Sequence, residues 1–130
     1  MQDKVDYWLD LCEEDLITAK ALLDKNRLLH MGFFCNMIAE KAFKAAIAKN
    51  TNEIPPRIHD LQRLATFGGL FEDLSETQLE VLDQLTPLQM QARYPEYKTK
   101  IAAMLTVEYC KQLLEETECL LCWIKKRLEK

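Results

Sequence analysis

Arg93, Lys98 and Lys100, interleaved with Tyr94 and Tyr97, form a local cluster of cations and rings. The chemistry open to such a cluster is anion binding. A guanidinium offers a planar fork to two phosphate oxygens at once, and a neighbouring ring can stack on a base. The rest of the chain gives no help, because 17 basic and 21 acidic residues leave a net charge of −4. With no general drive toward nucleic acid or an anionic membrane, any phosphate contact must come from this patch. Solvated surface near a helix end is the other reading of the same residues.

His59 is the second candidate. It lies in Pro55-Pro56-Arg57-Ile58-His59-Asp60-Leu61, where a stiff loop feeds a short helix and Asp60 can serve the helix N-terminus. Two roles stay open to it: fixing the loop by hydrogen bonding, or touching a ligand. His30, at the entrance of an earlier helical segment, reads as a partly buried or capping side chain. Cys119-Leu-Leu-Cys122 sets two thiols on adjacent helical turns, where they could share a metal. A zinc site wants about four ligands, and Cys12, Cys35, Cys110, His30 and His59 are isolated along the chain. We read the pair as thiols packed in or near the core, and expect neither a metal site nor a cofactor. Glu13-Glu14-Asp15 and Glu115-Glu116 with Glu118 read as solvated helix faces. A glycine-rich phosphate loop, a serine elbow and a His-Glu-x-x-His pattern are all missing, which disfavours an ordinary hydrolase or an α/β nucleotide-binding enzyme.

The elements that must position these groups are helical. At 130 residues the chain is one domain, 1–130, and its 48% hydrophobic and 29% charged residues are those of a globular protein. Only 3 Gly and 4 Pro leave too few turn-formers for many short strands. Residues 3 to 25 carry Val5, Leu9, Cys12, Leu16, Ala19 and Leu23 at four-three spacing. A second segment, 28 to 49, has Met31, Cys35, Ile38, Ala42 and Ala45 on one side, widened by Phe34, Ala39, Phe43, Ala46 and Ile47. Pro55-Pro56 stops it. A short helix follows from near His59 to Gly68-Gly69. Ser75-Glu76-Thr77-Gln78 reads as a capping box, opening a helix that Pro87 kinks or divides. The last helix is expected over 99 to 128. An up-down bundle of four to five helices is the natural solution, and wide apolar stripes on the first and last helices point to a homodimer. No apolar run is long enough for a membrane span, and the charged amphipathic start is unlike a signal peptide. A cytoplasmic location is expected.

Four segments together resemble the HEPN-domain family. Ala39-Glu40-Lys41-Ala42-Phe43-Lys44-Ala45 is similar to its "AEKALKA" segment, and Pro56 with His59-Asp60-Leu61 to its "P…HDL" junction. Arg93-Tyr94-Pro95 resembles "RYP" near the end of the family's fourth helix. Asp15-Leu16 with Ala19-Lys20-Ala21-Leu22-Leu23 is similar to its opening "DL..A..LL". The pieces run in order over about residues 3 to 128.

The resemblance implies an α-helical bundle that often dimerises and associates with nucleotides, RNA or a small nucleotidyltransferase encoded nearby. Many such domains are metal-independent RNases, often toxins of toxin–antitoxin pairs. In these, arginine holds a phosphate and a histidine four to six residues further on moves the ribose 2′-hydroxyl proton. Here Arg93 matches the arginine, but the histidine positions hold Lys98, Thr99 and Lys100. The tyrosine that some toxin members add two residues past the histidine is missing too, since Lys100, Ile101 and Ala102 stand there. A protonated lysine is a poor general base. The expectation is a non-catalytic binding module with Arg93, Tyr94, Tyr97, Lys98 and His59 as its ligand-binding residues. The alternative is a ribonuclease with a rearranged site that joins Arg93 to His59.

Overall fold

A computed structural model describes residues 3–51, 53–90 and 95–129. Among these residues there are six α-helices: α1 (Lys4–Asp24), α2 (Leu28–Thr51), α3 (Leu61–Phe67), α4 (Glu76–Leu85), α5 (Pro95–Met104) and α6 (Val107–Leu128). Single 3-10 turns lie at Phe71–Asp73 and Thr86–Met90. No strand occurs among the described residues. The all-helical bundle expected from the spacing is the fold.

The centre is α2. From Met31 to Ala48 its side chains are buried at nearly every position, which is the pattern of a helix surrounded by others. It packs against α1, α3, α4, α5 and α6. Ala39, Ala42, Ala45, Ala46 and Ala48 keep its girth small, so the neighbours approach closely, while Phe43, Met31 and Ile38 fill the space between them. Cys12, Leu16 and Ala19 of α1 close one side, and Cys110, Leu113, Leu121 and Ile124 of α6 another.

Polar groups on this buried helix have specific work. Asn36 Nδ2 donates to the Leu85 carbonyl at 2.9 Å, tying α2 to the end of α4. Lys49 donates to the Leu128 carbonyl at the end of α6, at 2.5 Å. The Asn50 side-chain amide donates to the Gly68 carbonyl, where the chain turns through Gly69 at φ +75, a conformation that favours glycine.

The boundaries follow local signals. Asp60 caps α3, accepting from Gln62 N at 3.1 Å and Arg63 N at 3.2 Å. Both halves of the Ser75–Gln78 capping box form. Ser75→Ala should cost about 1 kcal/mol, read as a lower urea midpoint with unchanged slope. Ahead of Pro87, α4 ends at Leu85 and passes into the second 3-10 turn, which carries Leu88 inward.

Three expectations are corrected. The segment expected as one helix over 99 to 128 is two, and this division brings the helix count to six. Thr106 takes extended backbone angles, and its side chain accepts from Tyr109 N at 3.1 Å, starting α6 anew. Ala103, read into the last stripe, is exposed, while Ile101 and Leu105 point inward. Asp15 is buried and paired with Lys41 at 2.6 Å, unlike its solvated neighbour Glu14. Cys119 and Cys122 are exposed rather than packed, whereas Cys12, Cys35 and Cys110 are buried.

Candidate functional site

Helix α2 carries Glu40 and Lys44 one turn apart, on the side facing α1 and the Pro55–Asp60 loop. Lys44 Nζ reaches Glu40 Oε2 at 3.1 Å and sits 5.5 Å from the centre of the Trp8 ring. The other carboxylate oxygen, Glu40 Oε1, lies 2.8 Å from His59 Nδ1. One carboxylate therefore ties together two residues of α2 and the loop before α3. Burial sharpens these contacts, since Glu40 and Lys44 are each only 8% exposed and the low-dielectric setting strengthens attraction between them.

His59 differs from its partners in being largely open, with its side chain 55% exposed. Glu40 engages Nδ1, which leaves Nε2 as the ring's other nitrogen. The contact with Glu40 ties the ring, and with it the loop, to α2. Glu40 and Lys44 were read only as part of a motif. Their spacing of four is the signal that could have singled them out.

Beside this network lies a cleft of about 340 Å³ lined by Asp3, Lys4, Tyr7, Trp8, Ile54 and Pro55. Trp8 belongs to both the cleft and the Lys44 contact. The cleft is largely apolar at its sides, with exposed Tyr7 and Ile54 at its edge. His30, expected to be partly buried or capping, is exposed in the first turn of α2. It lines a separate cleft of about 380 Å³ with Arg27, Ala102 near the end of α5 and Leu105 just past it.

Of the residues in the expected anion cluster, Arg93 and Tyr94 lie outside the described residues. Tyr97 and Lys98 fall on the backbone of α5, and their side chains lie outside the described set. Lys100 is exposed on the same helix. Among the described residues, no group of three or more His, Cys, Asp and Glu side chains could hold a metal ion. No described helix is long and apolar enough to cross a membrane.

The protein is a small helical bundle built around one buried helix, with a Glu–His–Lys network where that helix meets the loop before α3. The family model of the HEPN domain matches residues 5–128, and the chain belongs to that family. Two crystal structures share its fold. TT1696 from Thermus thermophilus is 19% identical with a TM-score of 0.78, the match covering 96% of this chain and 98% of that one. ST0689, described as an archaeal HEPN homologue, is 20% identical with a TM-score of 0.65, covering 98% and 99%. No curated protein matches the sequence.

Proposed function

We propose that the protein is a non-catalytic HEPN module that forms a homodimer and binds a nucleotide, an RNA phosphate or an acidic surface of a partner protein. The observation that carries this reading is the arginine without its histidine. Arg93 is present, and Lys98, Thr99 and Lys100 stand where the RNase motif needs an imidazole. Arginine still grips a phosphate through paired hydrogen bonds, while the loss of a general base removes about 10²–10⁴ of rate. Tyr94, Tyr97 and Lys98 complete the binding patch, and a small nucleotidyltransferase in a cytoplasmic toxin–antitoxin or defence setting is the partner this reading favours.

Calorimetric titration of wild type and Arg93→Ala with nucleotides and short RNA tests it. Wild type should give a saturable signal, and the variant should lose at least about tenfold in affinity, as expected for a charge-assisted contact. Equal signals, or none in either protein, would remove Arg93 from any ligand role. The alternative is a ribonuclease that uses Arg93 with His59, and the Glu40-anchored, outward-facing ring of His59 is the observation that favours it. Turnover of RNA abolished by His59→Ala would decide for that alternative.

A further inference from the structure

We propose that the outward face of α6 is where a second copy of this chain docks, with the two helices antiparallel about a two-fold axis between Cys119 and Cys122. The inference rests on the homodimer reading above and names the surface that reading leaves open. Glu115, Glu118, Cys119, Cys122, Trp123 and Lys126 line a groove of about 580 Å³ along this helix. Gln112, Glu115, Cys119, Cys122, Lys126 and Glu129 recur at alternating spacings of three and four and are all exposed. That period is the one that keeps a seam facing a partner helix.

The charges on the seam are arranged to suit an antiparallel copy. Glu115 and Lys126 lie equally far from the midpoint between the two cysteines, on opposite sides. Antiparallel docking sets Glu115 of each copy against Lys126 of the other, and Cys119 against Cys122. Parallel docking would set like charges together. An isologous contact needs such a self-complementary patch, and thiols with half-buried Trp123 at the centre and charges outside match the usual apolar core and polar rim.

The neighbouring charges are already used within the chain. Glu118 pairs with Lys20 at 3.3 Å, Lys125 with Glu13 and Arg127 with Asp73. Glu115, Lys126 and Glu129 of this face have no ion-pair partner among the described residues; Glu115 and Lys126 stand in mirrored positions, and the mirror position of Glu129 holds the uncharged Gln112.

Sedimentation of the full chain under reducing conditions tests the surface, using wild type, Glu115→Lys, Lys126→Glu and the double variant. Each single reversal turns two attractions into two repulsions and should weaken the dimer about tenfold or more. The double variant should return to within about threefold of wild type. Both sites are exposed, so the variants should fold, and circular dichroism verifies it. A wild-type dimer that neither single reversal weakens overturns this surface and leaves the homodimer reading standing. Single reversals that weaken the dimer without rescue in the double variant also overturn the pairing. A monomeric wild type overturns both.

Discussion

Replacing Lys44 with methionine should lower the unfolding free energy by about 3–5 kcal/mol at neutral pH, the cost of leaving a buried charge without its partner. Methionine keeps the length and apolar bulk of the lysine stem, so the cavity term is small. What is lost is the ammonium between Glu40 and the Trp8 ring. Glu40 then faces only the exposed ring of His59. The double variant Glu40→Gln with Lys44→Met should lose less than the two single losses added together, because neither charge is left alone. Urea unfolding of the four proteins at neutral pH checks this. A Lys44→Met protein as stable as wild type would mean that the ion pair contributes nothing beyond hydrophobic replacements of its own shape.

A second large effect is alkaline loss of stability. Burial pushes the Cys12 thiol up from an ordinary 9.0 to about 12, with the nearby Asp15 carboxylate adding to the rise. Burial does the same to Cys35, up to about 12, against a lowering by its hydrogen bond with Thr117. Cys110 rises to about 11 through burial. In the unfolded chain these thiols ionise first, so above pH 9 the unfolded state holds fewer protons than the native state. Stability is therefore complete below pH 9 and declines as pH climbs through the native values. Each of Cys12 and Cys35 contributes on the order of 4 kcal/mol to that decline, at about 1.4 kcal/mol per unit. Urea midpoints followed from neutral to alkaline pH should fall steeply for wild type and more gently for Cys12→Ala. Parallel curves would rule out the thiol as a source of the pH dependence.

Both effects depend on residues whose environment the linear chain describes unevenly. The four-three stripe through Cys12, Leu16 and Ala19 marks the buried side of α1, because helical geometry alone puts those positions on one line. Ser75 and Gln78 mark the start of α4 for the same local reason. The HEPN segments, too, are legible without coordinates. The break at Thr106 is harder to see, since Ala103, Val107 and Cys110 read along the chain as one four-three stripe although Ala103 is exposed, and a single cap residue resets the backbone. The candidate anion cluster at Arg93 was legible as residue types only.

Burial around the chemistry is where sequence reading stops. Asp15 and Glu14 are adjacent acids, yet one is buried against Lys41 of α2 and the other is solvated. Cys110 is sealed in the core while Cys119 and Cys122, on the same helix, face outward. Glu40 and His59 are separated by 19 residues, and only the packing of the Pro55–Asp60 loop onto α2 brings them to 2.8 Å. The sequence by itself determined the all-helical class, the caps at Asp60 and Ser75, and the family, because each depends on periodicity or a few contiguous residues. Tertiary structure alone decided which acids and thiols lie inside, and which distant side chains share a carboxylate. Desolvation and long-range contact arise from the neighbours on every side, and those are assigned only when the helices pack.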